Sequence, residues 1–417
     1  MRSSSHSSLG ILSFLSVLLL SMSGCGGSLS QGGNSTPQAT EYFYASGPSD
    51  IQVFKIDLAS GHLDSVQTVS TRGQFSFFPS SPARSVATSP AKFLYHPGLD
   101  GVDAYTIGSD GSLTLINGSP FLWPSQYPGW HPSVSTMAIS PNDKTLYGVP
   151  DPGYGDAILG FQIDSATGAL TAMPSGFSIG DGPTSAPYKE VIDPSGKFMY
   201  VTDWYANAMT YPTPAGIAEL SIDPSSGNLT PLSNSPALLP YNSDPWPIVM
   251  DPTGKFVYVS SAEGDGGFGF IRDSTTGELT EMSGSPFNIS VGTAGDGLPM
   301  VIHPSGKFLY TSNYDGSFGG YMIDPVSGNL SPITGSPFPT QGPIGGCLFV
   351  GPCGVQSQLL IDPSWKYAYS DQRTNQTGQP SIAIYNVNQT TGALSRAGGS
   401  PEATSEQLSG LNAIQTQ

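Results

Sequence analysis

One phrase of nine residues occurs three times in this chain with only conservative changes. It reads DPSGKFMYV from Asp193, DPTGKFVYV from Asp251 and HPSGKFLYT from His303. Weaker copies begin at three further positions, Ser89, Ser140 and Asp362. A phrase that returns at a spacing of about 50 residues is typical of repeat architectures, which build one supersecondary unit several times.

Each copy combines a turn with a strand. Asp193 and the proline after it favour a type I turn, because Asp accepts local hydrogen bonds and proline presets φ. The residues that follow alternate, with Phe198 and Tyr200 on one face and Met199 and Val201 on the other. Since both faces are apolar, we predict a strand that is packed between two layers.

A second recurring element is a polar turn followed by Gly-x-Leu, which closes a hairpin in each unit. The seven glycines of these hairpins are Gly61, Gly111, Gly168, Gly227, Gly277, Gly328 and Gly392. With 52 Gly and 38 Pro, long helices are disfavoured, because these two residues are the weakest helix formers. About four strands per unit is the size of a propeller blade, so we predict an all-β, seven-bladed β-propeller of four-stranded blades.

The seven hairpins outnumber the six turn copies by one. The first unit begins at Glu41 already in its second strand. The chain ends in SGLNAIQTQ, where Leu411 to Ile414 have the pattern of an innermost strand. We therefore predict that the C-terminal strand completes the first blade and closes the ring, which covers two sheet edges.

The N-terminus has the features of an export signal. Arg2 precedes an apolar run, Leu9 to Leu20, that is too short to span a bilayer comfortably. The run leads to MSGC, as in a bacterial lipobox, so we predict a lipoprotein signal peptide over residues 1–24 and lipidation of Cys25. An ordinary cleaved signal with an incidental cysteine is the alternative. Residues 25–40 are predicted to be a flexible tether, and residues 41–417 the propeller.

The repeat phrases and hairpins resemble those of the seven-bladed propeller lactonases, or YVTN-repeat proteins, which include 6-phosphogluconolactonases and carboxymuconate cyclases. The resemblance rests on DPSGKFMYVTD, DPTGKFVYVS, HPSGKFLYTSN and hairpins such as IDPSSGNLTPL, and it covers the chain from Glu41 onward. It implies a lactone hydrolase or a cycloisomerase on a propeller fold. The family's Pro-His phrase at the start of an inner strand reads Pro187-Tyr188-Lys189-Glu190 here, so no catalytic residue is carried over.

The two ends of the predicted ring differ in sequence. The repeat turns and hairpins are short and nearly constant, and we call the end that they form the scaffold end. The connections at the other end, the loop-bearing end, vary from NYDGS (Asn313 to Ser317) to DWYANAMTYPTPAG (Asp203 to Gly216). Because function usually resides in variable loops on a rigid scaffold, we expect the site at the loop-bearing end, around the central channel.

Lactone hydrolysis needs a base for water, and donors or cations for the substrate oxygens. The candidate catalytic residues at the loop-bearing end are Glu190, His131, Arg84 and Arg373. The candidate binding residues are Trp130, Trp204, Trp246 and Tyr205. Each has a structural alternative, because such side chains also pack irregular loops or form surface ion pairs.

Two functions remain open from the sequence. The first is a lactonase-like enzyme that hydrolyses or forms a lactone ring in the cell envelope, either in the periplasm or at the cell surface. The second is a non-catalytic, envelope-anchored propeller that binds a glycan, peptide or protein. The partner is then a small-molecule lactone or carbohydrate, or an envelope protein.

The charge of the chain argues against nucleic acid as a partner. The net charge is −17, whereas the phosphates of nucleic acid require a basic face. We expect no cofactor and no metal, contact with the membrane through the lipid anchor only, and a monomer.

Beyond Cys25 the chain contains Cys347 and Cys353, and in an exported protein we expect these two to form a disulfide. A pair of free thiols is the alternative. Mass spectrometry of unreduced protein from its native host should find the peptide that spans both cysteines lighter by two hydrogens than its dithiol form. Thiols that react with an alkylating reagent at both positions would contradict the pairing.

Overall fold

Each repeat of the sequence forms one antiparallel sheet, and the seven sheets are the blades of a propeller. The computed structural model describes residues 40–47, 49–72, 86–88, 91–98, 101–123, 134–150, 157–174, 176–179, 187–203, 215–240, 243, 245–261, 266–289, 299–313, 317–339, 359–373, 380–400, 402–403 and 410–416. All regular elements in these ranges are β-strands. No helix in the described ranges has the length and hydropathy that crossing a bilayer requires.

The first three blades contain the following strands. Blade 1 begins with β1 (Thr40–Ser46), β2 (Asp50–Ile56) and β3 (Leu63–Ser70). Blade 2 consists of β4 (Val86–Ala87), β5 (Phe93–Pro97), β6 (Gly101–Ile107), β7 (Leu113–Leu115) and β8 (Phe121–Leu122). Blade 3 consists of β9 (Val134–Ile139), β10 (Thr145–Pro150), β11 (Ala157–Ile163), β12 (Leu170–Ala172) and β13 (Phe177–Ser178).

The remaining blades follow the same order. Blade 4 consists of β14 (Pro187–Ile192), β15 (Phe198–Asp203), β16 (Gly216–Ile222), β17 (Leu229–Pro231) and β18 (Ala237–Leu238). Blade 5 consists of β19 (Pro245–Met250), β20 (Phe256–Ser261), β21 (Gly267–Arg272) and β22 (Leu279–Glu281). Blade 6 consists of β23 (Met300–Ile302), β24 (Phe308–Ser312), β25 (Phe318–Ile323) and β26 (Leu330–Pro332). Blade 7 consists of β27 (Leu359–Ile361), β28 (Tyr367–Arg373), β29 (Pro380–Val387), β30 (Leu394–Arg396) and β31 (Glu402–Ala403). The last strand is β32 (Gly410–Thr416).

Within blades 2 to 7 the strands pair in chain order, from an inner strand to an outer one, and blade 1 has the order β3-β2-β1-β32. The short strands β8, β13, β18 and β31 add to the third strand of their blades. The predicted fold class, all-β with seven four-stranded blades, is confirmed.

The repeated turn folds as the sequence predicts. Oδ1 of Asp193 accepts hydrogen bonds from the backbone N–H groups of Lys197 and Phe198, both at 2.8 Å, and thereby starts β15. Phe198 and Tyr200 then pack towards blade 5, whereas the residues between and after them pack towards blade 3. The strand is therefore buried on both faces, because each face meets a different blade.

A tyrosine in the second strand of every blade joins that blade to the next one. Its hydroxyl donates a hydrogen bond of 2.5 to 3.0 Å to the carbonyl of the hairpin glycine in the next blade. The pairs are Tyr44–Gly111, Tyr95–Gly168, Tyr147–Gly227, Tyr200–Gly277, Tyr258–Gly328, Tyr310–Gly392 and Tyr369–Gly61. Since the last pair runs from blade 7 to blade 1, the seven bonds form a continuous circuit.

Six of the seven hairpin glycines also receive an aromatic ring from the same neighbouring strand, whereas Gly227 receives the side chain of Thr145. A Cβ on Gly277 would lie 2.3 Å from Cδ1 of Phe198, and the φ of Gly277, +82°, is one that residues with side chains rarely adopt. Phe198 and Tyr200, on one face of β15, thus both contact Gly277, one through its ring and the other through its hydroxyl. This contact explains why the Phe-x-Tyr phrase and the Gly-x-Leu hairpin recur together in the sequence.

The two ends of the propeller chain meet in blade 1. β32 pairs antiparallel with β1 over the whole length of both strands, from Thr40↔Thr416 to Ser46↔Gly410. The first strand, β1, begins at Thr40, and the predicted boundary of the propeller at residue 41 stays a prediction. The predicted signal peptide and the rest of the tether lie outside the described residues. That β32 is needed to keep the ring closed stays a prediction.

Deletion of residues 408–417 tests the role of β32. The deletion leaves Tyr42 to Ala45 as an unpaired sheet edge, and such edges pair readily with other chains. We expect the shortened protein to aggregate, or to unfold at a clearly lower temperature than the parent, as followed by light scattering and circular dichroism. A shortened protein that stays monomeric and melts with the parent would contradict closure by this strand.

Two buried glutamates make the stability of the ring depend on pH. Glu41 lies directly before Tyr42, the first aromatic residue of β1. The corresponding residue in blade 4 is Lys197, directly before Phe198. Burial, and then the negative charge of Asp362, raise the pKa of Glu41 to about 7, and burial raises the pKa of Glu219 to about 7. The unfolded chain loses these protons near pH 4.5 and the folded chain near pH 7. Their contribution to stability is therefore complete below about pH 4.5 and is lost as the pH rises to about 7.

Glu41→Gln removes this ionisation and keeps the size of the protonated carboxyl group. We expect the free energy of unfolding of this variant, relative to the parent, to increase between pH 4.5 and 7, as measured by urea unfolding. Glu219→Gln should show the same trend. Burial lowers the pKa of His96 to about 3, so its contribution to stability is lost as the pH falls, opposite to that of the glutamates. This contribution is the same in variant and parent, and it cancels when the two are compared at each pH. A variant–parent difference that does not change with pH would exclude the proposed protonation of Glu41.

Candidate active site at the loop-bearing end

The inner strands that surround the channel are almost free of charge. Across β4, β9, β14, β19, β23, β27 and β32, the charged residues are Lys189 and Glu190, which are neighbours in β14. Since consecutive residues of a strand point to opposite faces, their side chains leave β14 in opposite directions. β14 is thus the inner strand that departs most from the apolar pattern, and the candidate site is built around it.

Glu190 stands at a register position that is apolar in blades 3, 5, 6 and 7. It pairs with Val201 of β15, and its side chain is 5% exposed. The residues at the same register in blades 3, 5, 6 and 7 are Met137, Ile248, Met300 and Leu359. Burial of a carboxylate is unfavourable unless it is hydrogen-bonded, so a glutamate among these residues indicates a role beyond packing.

Blade 3 supplies a hydrogen-bond donor for this carboxylate. The hydroxyl of Thr136, in β9, donates to Oε2 of Glu190, and both side chains are buried. A donor of this kind favours the ionised carboxylate and fixes its orientation. The structure thus places the side chain of Glu190, a predicted catalytic residue, against blade 3. Thr136 was missed, because nothing in β9 alone indicates which residue lies opposite it in β14.

An aromatic pair joins blades 4 and 5 where β14 and β19 begin. The rings of Tyr188 and Trp246 lie 4.5 Å apart between centroids, and both side chains are largely buried. Tyr188 lies where the pairing of β14 with β15 shifts in register, and Trp246 lies where the pairing of β19 with β20 shifts. Such irregularities change the direction in which a side chain points. The hydroxyl of Thr202 donates to the carbonyl of Trp246 at 2.8 Å, which ties β15 to β19. Trp246, a predicted binding residue, is therefore packed against Tyr188, and its role in binding stays a prediction.

The structure does not describe the other predicted site residues in full. Arg373 ends β28, where its backbone pairs with Pro380, but its side chain is outside the described part. The residues that lie entirely outside the described ranges are Arg84, His131, Trp130, Trp204, Tyr205, Cys25, Cys347 and Cys353. Of the predicted set, the structure brings Glu190 and Trp246 to neighbouring inner strands. No three His, Cys, Asp or Glu side chains of the described residues lie together as a metal site.

A second polar group lies between blades 1 and 2. His96 of β5 stands opposite Asp103 of β6, and burial lowers the pKa of His96 to about 3, so the imidazole is neutral. Burial raises the pKa of Asp103, and Arg72 opposes this shift with its Nε 3.7 Å from Oδ1 of Asp103. Arg72 also donates from Nη2 to the carbonyl of Ser119 at 2.9 Å. Arg72, which follows β3 of blade 1, is thus bound to blade 2 through Asp103 and Ser119.

Comparisons with known proteins agree with the fold and with the resemblance. No family model matches the chain. A 6-phosphogluconolactonase of Pectobacterium carotovorum is 24% identical over 319 residues, which cover 75% of this chain and 81% of that protein.

Solved structures give the same picture. A Bacteroides fragilis protein provisionally assigned as a 6-phosphogluconolactonase superposes with a TM-score of 0.67 at 18% identity, over 92% of this chain and 100% of that one. A periplasmic gluconolactonase of Pseudomonas aeruginosa superposes with a TM-score of 0.62 at 15% identity, over 90% and 99% of the two chains. The chain is thus a seven-bladed β-propeller that is similar to 6-phosphogluconolactonase in sequence and shares its fold with propeller lactonases.

Proposed function

We propose that this protein hydrolyses a lactone at the loop-bearing end of the propeller, with Glu190 as the general base. The carboxylate removes a proton from water while the water oxygen adds to the lactone carbonyl. The ring C–O bond then breaks, and the ring oxygen takes up a proton to give the open hydroxy acid. The same groups serve the reverse reaction, which closes a lactone ring.

One observation carries this proposal. Glu190 is a buried carboxylate that a hydroxyl of the neighbouring blade holds in place, at an inner strand position that is apolar in blades 3, 5, 6 and 7. A hydrogen-bonded carboxylate in such a place is suited to proton transfer. The sequence similarity to a 6-phosphogluconolactonase supports lactone chemistry in particular.

The remaining predicted residues complete the proposed catalytic set. Arg84 and Arg373 are proposed as cations for the substrate oxygens, and His131 as a further acid or base. All three belong to the loop-bearing end by the sequence pattern. Lys197, Lys255 and Lys307 belong to the repeat turns of the scaffold end and have no part in the proposal.

We also propose that the protein acts in the cell envelope, as a lipoprotein anchored through Cys25. The apolar run and MSGC support export, and one protein of the same fold is a periplasmic gluconolactonase. Phosphorylated sugar lactones are cytosolic metabolites, so an envelope enzyme of this type would use a different lactone.

A non-catalytic binding propeller is the second candidate. The aromatic pair Tyr188–Trp246 between blades 4 and 5 favours it, because tyrosine and tryptophan at a loop-bearing end are typical of binding surfaces. Its ligand would be a glycan, a peptide or an envelope protein.

Substitutions at Glu190 and Thr136 test the catalytic proposal. Glu190→Gln should lower lactone turnover by about 100-fold or more, because the base is removed while the volume is kept. Thr136→Val should lower turnover and move the acid limb of the pH–rate profile to higher pH, since the ionised carboxylate loses its donor. Thr136→Ser should restore both. A pH-stat assay over a panel of lactones measures these effects.

Lys197→Ala is the matched control at the scaffold end and should leave turnover unchanged. Melting temperatures of all variants separate loss of catalysis from loss of folding. Full turnover by folded Glu190→Gln protein would contradict Glu190 as the base. A parent protein that hydrolyses none of the lactones and binds a glycan or a peptide would favour the second candidate.

A further inference from the structure

The connection between blades 4 and 5 and the start of β19 contain two buried hydrogen-bond donors without an acceptor among the described residues. Ser243 lies between β18 and β19 and is 6% exposed, and Trp246 in β19 is 9% exposed. Among the described residues, Oγ of Ser243 and Nε1 of Trp246 have no hydrogen-bond partner, although both atoms are buried. Buried donors without acceptors are costly, so folded proteins retain few of them.

The backbone around the two donors is held firmly. The N–H of Ser243 donates to the carbonyl of Pro240 at 3.0 Å, and the hydroxyl of Thr202 donates to the carbonyl of Trp246 at 2.8 Å. Tyr188 packs against the indole ring of Trp246. The donors are thus fixed by neighbours that do not bind them, which is how a preorganised binding site is built.

The chemistry of the two donors selects the ligand. A hydroxyl and an indole N–H are neutral donors, and they bind carbonyl, hydroxyl and carboxylate oxygens without requiring a particular charge. The rings of Tyr188 and Trp246 provide an apolar wall of the kind that accompanies a few polar groups in small-molecule sites. Such a combination suits a ring or chain that carries several oxygens.

We propose that Ser243 and Trp246 form an oxygen-binding subsite, in which both donors bind oxygens of a polyhydroxylated lactone or of the hydroxy acid made from it. The subsite rests on the proposed function for the identity of this ligand. In this subsite Trp246 binds the ligand through a hydrogen bond from its indole N–H, and the face of its ring does not stack on the ligand. It also extends the candidate site from β14 to the connection that precedes β19.

The indole N–H of Trp246 provides a direct measurement. In ¹H–¹⁵N NMR spectra of the full-length protein, the Trp246 indole cross-peak is assigned with Trp246→Phe. Titration with gluconolactone, and with gluconate as its stable hydrolysis product, should move this cross-peak downfield, because the N–H gains an oxygen acceptor. The indole cross-peaks of Trp123 and Trp365 should stay in place.

Calorimetry provides a second measurement. Trp246→Phe keeps the aromatic packing against Tyr188 and removes the donor, and Ser243→Ala removes the other donor. Each should weaken gluconate binding by about tenfold, or ~1.4 kcal/mol. Trp123→Phe is the matched control, because Trp123 is also a buried indole whose N–H has no acceptor among the described residues. It follows β8, away from the proposed subsite, and its substitution should leave binding unchanged.

A Trp246 cross-peak that neither ligand moves would overturn the subsite, as would unchanged gluconate binding by Trp246→Phe. An equal loss of binding in Trp123→Phe would also count against it. These results are separable from the proposed function. A shifted cross-peak in a protein that hydrolyses no lactone supports the subsite and contradicts the hydrolase. Lactone turnover with an unmoved cross-peak contradicts the subsite alone.

Discussion

The hydrogen bond from a buried tyrosine hydroxyl to the carbonyl of a glycine in the next blade sets the geometry of this protein. It occurs seven times and returns from blade 7 to blade 1 through Tyr369 and Gly61. A single four-stranded blade leaves both of its faces apolar, so each blade is stable only between two neighbours. In six of the seven blades an aromatic ring two residues before the tyrosine fills the space that a hairpin side chain would need, and in blade 3 Thr145 takes this place, which sets how closely two blades approach.

The candidate site depends on this geometry because its groups come from different blades. Thr136 of blade 3 donates to Glu190 of blade 4, and Thr202 of blade 4 donates to the carbonyl of Trp246 in blade 5. A small rotation of one blade would separate these partners, since hydrogen bonds weaken steeply with distance and angle. The scaffold end therefore has a functional consequence although it carries none of the proposed chemistry. It holds the inner strands at the separations that the polar contacts need.

The division between a constant scaffold end and a variable loop-bearing end also accounts for the comparisons. The blade-to-blade contact uses a turn, a tyrosine with a residue two positions before it that is aromatic in six of the seven blades, and a hairpin glycine, so most other positions are free to change. A relative at 24% identity and structures at 15 to 18% identity can therefore preserve the propeller. The polar residues on β14 lie outside that minimal set, and the Pro-His phrase typical of propeller lactonases is Pro187-Tyr188 here. Conservation of the fold thus leaves the chemistry to be decided at the site itself.

The sequence by itself determined the number of blades, the strand that follows each repeat turn, and the alternation of Phe198 and Tyr200 with their neighbours. These features are local, because a turn needs four residues and a strand repeats its side-chain pattern every two. The sequence also singled out Glu190, as a candidate catalytic residue at the loop-bearing end. Only the tertiary structure decided that Thr136, 54 residues away in the chain, is its hydrogen-bond donor. Likewise, Trp246 reads as an exposed aromatic in a variable loop, whereas packing against Tyr188 buries it. The same holds for Tyr369 and Gly61, which are 308 residues apart and meet because the ring returns to its first blade. Contacts between blades depend on how neighbouring sheets are placed in space, and no local pattern of residues records that placement.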